Sequence, residues 1–398
     1  MTEPTRKKLA IITTVWDWRS HANHMSERFF SGYPSQGRWH RPEMDMVSAY
    51  VDQCPEGDLS RQRAEEHGMA IYPTIAEALR MGGDALAVDG ILLIAEHGDY
   101  PVNEKGQKLY PRYEFFSQIA QVFQEDERSV PVFNDKHLSY SFEKAQRMVA
   151  MAQALQFPML AGSSLPVTFR LPSLELPLES EMEAALMVGV GGSDAMDFHA
   201  LEAMQCMVER RRGGEVGVKA VQLMDGSAVW QAGEAGRWSR GLLEGALARS
   251  DSRSGIALSD GRPQDLVHSG ELEELVENPA AYFIEYNDGF QATLLMLNGA
   301  VQDYTFAARL KGVSEVQSTQ FLLPSKPNVT YSACLMAAAE HLFTTGQAPY
   351  PVERTLLTSG MLERCLESRL NGHQRLTTPE LNVCYKAPEA SPFCGSFV

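Results

Sequence analysis

The 398 residues carry 51 acidic side chains against 35 lysines and arginines, a net charge of −16, and 44% of them are hydrophobic. A chain of this length exceeds one ordinary core and predicts two domains. So negative a surface disfavours nucleic acid and anionic membrane as partners, while leaving room for a local basic pocket. No apolar run approaches the roughly eighteen residues that span a bilayer, and the start Met1-Thr2-Glu3-Pro4 does not read as a signal peptide. Six cysteines without a CxxC pair read as reduced thiols, so a cytoplasmic protein is expected.

Over residues 1–162 short apolar runs alternate with amphipathic ones. Leu9 to Val15, Met44 to Val51, Val88 to Ala95 and Ser129 to Phe133 predict strands. His21 to Phe30, Leu59 to Glu66, Ile75 to Met81 and Tyr113 to Phe123 predict helices. This alternation is that of a parallel sheet covered on both faces. A further helix runs to Gln156, with Ser139 or Ser141 as its cap and Ala145, Met148, Val149, Ala152 and Leu155 as apolar positions. Phe157 to Ala161 returns as a strand. Pro166, Pro172 and Pro177 then break the pattern and place a domain boundary near residue 163.

In residues 163–398, Met182 to Val190 and Met196 to Met207 are expected to fill helix faces. Arg210-Arg211-Arg212 reads as a solvated helix end, with anion binding as the second option. Gly217 to Met224, Ala280 to Tyr286, Phe290 to Leu297 and Val301 to Arg309 predict strands, with turns at Asn287-Asp288-Gly289 and Asn298-Gly299. Tyr331 to Phe343 and Val352 to Leu370 predict helices, which can pack back on the first domain. A large, mainly antiparallel sheet with helices on one side follows. Its open face calls for cover, hence a homodimer or homotetramer.

Reactive groups of a doubly wound sheet gather at the carboxyl ends of its strands. Lys136, within Asn134-Asp135-Lys136-His137-Leu138, is the leading candidate, because there it can bind a hydroxyl or carbonyl oxygen and stabilise developing charge. A surface lysine beside Asp135 is the plain alternative. Asp52 follows the second strand, where an acid holds the ribose hydroxyls of NAD or merely caps a helix. Glu96 and His97 follow the third, and Lys105, Lys108 and Arg112 lie on a polar segment that either covers the pocket or is solvated. His199 and Glu202 are three apart on a helix, so the carboxylate can orient the imidazole as a proton acceptor; a satisfied structural histidine reads the same. His21, His24 and His97 with Asp99 or Asp17 offer a weaker alternative, a zinc or manganese site.

Asn134-Asp135-Lys136-His137-Leu138 stands where Gfo/Idh/MocA oxidoreductases have Glu-Lys-Pro after the fifth strand. Ala195-Met196-Asp197-Phe198-His199-Ala200-Leu201-Glu202 resembles their Asp-x-Gly-x-His-x-x-Asp, and the helical ending around Gly346 to Leu370 is also similar. The resemblance covers roughly the whole chain. It implies a Rossmann-like nucleotide-binding domain over 1–162 and a substrate-binding and oligomerisation domain over 163–398. It also implies a nicotinamide-dependent oxidoreductase acting on a sugar, polyol or related hydroxy compound. Lys136, His199 and His97 would be catalytic, and Thr13, Thr14, Asp52, Glu96, His97 and Asp135 would contact NAD. One departure stands out. The family's Gly-x-Gly-x-x-Gly, which lets the backbone approach pyrophosphate, is replaced by Thr13-Thr14-Val15-Trp16-Asp17-Trp18. The lost glycines motivate two alternatives: a lyase, isomerase or hydrolase on a sugar-like compound, with or without a divalent metal, and a non-catalytic sensor or assembly protein.

Overall fold

The structure, a computed structural model, describes residues 6–192, 194–254, 266–326 and 329–394. Six parallel strands form the first sheet in the order Ala70–Ile71, Met44–Val51, Lys7–Thr13, Gly90–Ile94, Val132–Asp135, Met159–Gly162. The chain reverses its direction of travel across the sheet between Lys7–Thr13 and Gly90–Ile94, which opens a crevice at their carboxyl ends. Helices cover both faces, so Gly90–Ile94 is buried throughout and reads as an unbroken apolar run. Ser20 caps the helix His21–Phe30 by accepting from Asn23 N. Of the two serines left open as a cap, Ser141 does this for Phe142–Ala154, accepting from Lys144 N.

The second sheet has eight strands in the order Leu376–Thr377, Val218–Asp225, Ala280–Tyr286, Gln291–Met296, Met182–Gly189, Tyr304–Leu310, Gln317–Leu322, Phe169–Leu171. Its pairs are antiparallel except Met182–Gly189 with Gln291–Met296. The expected hairpin at Asn287-Asp288-Gly289 joins neighbouring strands. The turn at Asn298-Gly299 does not, because Met182–Gly189 lies between the strands on either side of it. That segment was expected to be helical. Ala185 and Met187 instead pack into one apolar cluster and Leu186 and Val188 into another, on opposite faces. A strand buried on both faces loses the alternation that would betray it.

Those two faces have different covers. Asp194–Val208 and Glu353–Leu370 pack on the side of Met187, where Tyr282 and Leu294 also point. The other side is closed by residues of Ser227–Glu234, Arg240–Leu247 and Glu271–Leu275, with Val229, Leu242, Leu243 and Leu272 against Leu186, Val188 and Phe283. The face whose cover was expected to come from a second copy is thus packed with the chain's own helices.

Two further expectations change. Cys334 and Cys394 form a disulfide spanning 60 residues, which ties the chain's last described residue to the helix Tyr331–Thr345 and corrects the reading of uniformly reduced thiols. Arg210 and Arg211 are buried, not solvated. Arg211 pairs with Glu215 at 3.2 Å and Asp288 at 2.7 Å, and Arg210 with Glu175 at 2.9 Å. Glu175 and Asp288 lie 35 and 77 positions from their arginines, and Glu215, four residues after Arg211, was not read as its partner. Tyr331–Thr345 packs on the first sheet, with Leu335, Met336 and Leu342 in the same cluster as Leu9, Ile11 and Leu92. Among the described residues, no helix is long and apolar enough to cross a membrane.

Candidate active site

Three adjacent strands of the first sheet lead into backbone of positive φ. His97 (φ 70°) lies just beyond Gly90–Ile94, Lys136 (φ 67°) follows Val132–Asp135, and Gly162 (φ 133°) ends Met159–Gly162. A left-handed non-glycine residue costs roughly 1–2 kcal/mol, and such residues cluster at functional sites. Lys136 N donates to Gly162 O at 3.1 Å, which fixes the turn that carries the ammonium group.

Charge is concentrated just beneath. Glu96 is buried, accepts from Arg112 Nη2, and lies 3.6 Å from Lys136 Nζ. Burial alone would raise its pKa, but Lys136 and Arg112 override that and hold it well below the usual carboxylate range. Arg112 also approaches His137 Nε2 at 3.2 Å, and Asp194 Oδ2 stands 4.0 Å from the same nitrogen. Burial pushes Asp194 up to about 6 and, with Arg112, keeps His137 neutral. On the other side of Lys136, His21 Nδ1 lies 2.6 Å from Asp135 Oδ2, and its ring centroid is 5.0 Å from that of His97. Burial and then His21 lower His97 to about 4.

His199 reaches this group from the second domain. Its Nδ1 shares a short hydrogen bond with Ser163 Oγ. Burial, followed by the charges of Lys136 and His21, holds its pKa well below the ordinary histidine value. Lys136 and His199, 63 positions apart in the chain, therefore act on one another electrostatically. The orienting group is not the one expected. Glu202 accepts from Ser163 N at 2.6 Å and Thr355 Oγ1 at 2.6 Å, and the Ser163 hydroxyl meets the imidazole instead. A Cβ on Gly162 would stand 2.6 Å from Glu202 Oε2, so that position requires glycine.

Glu202 carries a pH prediction. Burial raises its pKa from 4.5 to about 7. The folded state therefore holds an extra proton between those values, so this contribution to stability is complete below 4.5 and is lost as pH rises through about 7. Glu202→Gln is permanently neutral, and its melting temperature should fall less than that of the parent between about pH 5 and about pH 8. Parallel melting curves across that range would contradict it.

The remaining expected residues are placed as follows. Thr13 and Thr14 are buried, and their hydroxyls are engaged with Ile94 O at 2.9 Å and Glu96 O at 2.7 Å, so they brace adjacent strands and present no free donor to a ligand. Asp52 is exposed and accepts from Tyr50 and Tyr100 at 2.8 and 2.6 Å. Asp135 is buried and taken by His21. Lys105 pairs with Glu363 at 2.8 Å, which pins the polar segment to the helix Glu353–Leu370. Among the described residues no cluster of histidines, cysteines and acids is arranged to hold a metal ion, which removes the site suggested for His21, His24 and His97. Sequence reasoning missed the roles of Arg112, Ser163 and Asp194; only the position of Ser163 beside Gly162, at a strand end, signalled one of them.

No family model and no curated protein matches the chain. Solved structures do. GenD2 from gentamicin A biosynthesis, in complex with NAD, is 10% identical over 94% of this chain and 97% of its own, with a TM-score of 0.56. A myo-inositol dehydrogenase from Corynebacterium glutamicum is 10% identical over 93% and 98%, TM-score 0.52. Biliverdin reductase from Synechocystis, in complex with biliverdin and NADP+, is 10% identical over 92% and 99%, TM-score 0.51. With a Rossmann-like parallel sheet followed by a large mixed, mainly antiparallel one, the chain has the two-domain fold of the Gfo/Idh/MocA-type dehydrogenases.

Proposed function

We propose that this chain is a nicotinamide-dependent oxidoreductase acting on a sugar, polyol or related hydroxy compound. The observation that carries the reading is that Lys136, ion-paired to Glu96, is bonded through its backbone to Gly162, next to Ser163, whose hydroxyl meets His199, at the carboxyl ends of a doubly wound sheet. Both ends of a dinucleotide find fitting groups. Asp52 is exposed, and a carboxylate has about four acceptor positions, so its two phenol contacts leave room for a ribose diol. His97 Nε2 is buried without a partner beside the crevice. The diphosphate would rest on the amino end of His21–Phe30, although no glycine turn precedes it.

The nicotinamide, when bound, accepts or supplies the hydride. Lys136 donates to the substrate oxygen and stabilises negative charge as it develops, with Glu96 fixing the ammonium group. His199 takes the hydroxyl proton at Nε2 in the tautomer whose Nδ1–H donates to Ser163 Oγ. Asp194, at about 6, offers a second carboxyl group to substrate hydroxyls.

Calorimetric titration tests this reading. NAD should bind with a dissociation constant of about 1–100 μM, and Asp52→Ala should weaken it by about tenfold or more. No heat with either NAD or NADP would overturn it. The glycine-free turn is the one observation that favours a second reading, non-redox isomerase or lyase chemistry in the same crevice.

A further inference from the structure

His199 takes the substrate proton in the reaction proposed above, yet nothing beside it lets it keep that proton. Burial first, and then cationic neighbours that include Lys136, hold His24, His97, His137 and His199 below the ordinary histidine value. The Ser163 hydroxyl that meets His199 carries no charge to offset a protonated ring. A base held so low gives its proton back, so a reaction that frees one here needs a second group to carry it away.

His21 is built differently. Its Nδ1 lies 2.6 Å from Oδ2 of Asp135, a side chain only 2% exposed, whereas the carboxylate facing His137, Asp194, stands 4.0 Å off. A carboxylate so placed keeps the hydrogen on Nδ1, leaves Nε2 as the acceptor and offsets the charge that the ring gains with a proton. The amino end of a helix works against a charged ring, and Asp135 is what opposes it. His21 Nε2 has no hydrogen-bond partner among the described residues and is not sealed in, since the side chain is 13% exposed.

The ring also stands among the reacting groups. From the start of His21–Phe30 it passes the end of Gly90–Ile94, meeting His97 edge-on at 5.0 Å, to reach Asp135, the residue before Lys136. Its field is felt at Glu96, the partner of Lys136, and at His199. We propose that His21, positioned by Asp135, is the second proton-transfer group of the crevice. For its reaction this rests on the oxidoreductase reading. As the C–H electron pair leaves as hydride for the nicotinamide, the carbonyl forms and the O–H bond breaks onto His199 Nε2. That proton passes through crevice water to His21 Nε2 and from there to solvent.

The pair can be tested without nucleotide or substrate. Diethyl pyrocarbonate acylates an imidazole nitrogen that is unprotonated and within reach. On the intact protein, with peptide masses locating the label, His21 should react while His97, His137 and His199 do not. In Asp135→Asn, checked for fold by circular dichroism, labelling of His21 should slow about tenfold or more, because an amide there holds the tautomer whose Nε2 carries the hydrogen. The exposed His341 should label at the parent rate. In turnover, His21→Ala should lower kcat about 100-fold or more, and added imidazole should recover about tenfold or more of the loss, a rescue that a space-filling histidine would not give. The inference is overturned if His21 stays unlabelled, if Asp135→Asn labels as fast as the parent, or if His21→Ala turns over within about threefold of the parent. Labelling that depends on Asp135 in a protein that binds no NAD would keep the base and sink the oxidoreductase reading instead.

Discussion

Lys136→Met should lower turnover by about two to three orders of magnitude and leave the fold intact. Methionine keeps the length and apolar bulk of the stem and removes only the ammonium group. The partner it leaves, Glu96, retains Arg112, so the buried carboxylate is not stranded. What disappears is the donor at the substrate oxygen and the main charge acting on His199. The effect should fall on kcat more than on KM, because the interaction strengthens as charge develops. Steady-state kinetics beside far-ultraviolet circular dichroism decide it: a correctly folded variant with kcat within about threefold of the parent would remove Lys136 from the chemistry.

Arg112→Met should act on stability instead. Glu96 is buried, and Arg112 is its closest cation and its hydrogen-bond donor; without it the carboxylate keeps Lys136, 3.6 Å away, but loses that charge-assisted hydrogen bond. Removing one partner of a buried ion pair costs about 3–5 kcal/mol. His137 also loses its neighbour at 3.2 Å. The exposed pair Arg212–Glu181 is the internal contrast, since Arg212→Ala should change stability by about 0.5 kcal/mol or less. Urea unfolding of the two variants measures both, and a loss below about 1 kcal/mol for Arg112→Met would mean that the Glu96 site is wetter or less charged than its burial implies.

Much of the first sheet was legible because its helices and strands differ in period. His21–Phe30 and Met44–Val51 are found with the limits that their hydrophobic spacing suggests, as is Ala280–Tyr286 in the second sheet. Met182–Gly189 was not, because burial on two faces removes the alternation of a strand. Gln317–Leu322 was not, because Gln317, Ser318, Thr319 and Gln320 are all polar and show no apolar alternation, although three of them are buried between neighbouring strands.

The site divides along similar lines. Lys136, Glu96 and His97 are visible in the sequence because each follows an apolar strand, and strand ends are where this architecture places its chemistry. Arg112 was placed in a polar loop; its burial at the start of Arg112–Glu125 depends on Glu96, 16 residues away. The pairing of Ser163 with His199 and of Glu202 with Thr355 depends on partners 36 and 153 positions apart being brought together by the intervening chain, which helical spacing alone does not encode. Thr13 and Thr14 turn their hydroxyls to the neighbouring strand, which a hydroxyl at a strand end can serve as readily as a ligand.

A crystal structure of the protein grown with NAD tests the central claim most directly. The expected density crosses the carboxyl ends of the first sheet, with a ribose on Asp52 and the nicotinamide in the space bordered by His97, Lys136 and His199. Nucleotide bound anywhere else, or a crevice in which Lys136 and His199 are separated by packed side chains with no room for a substrate, would contradict it.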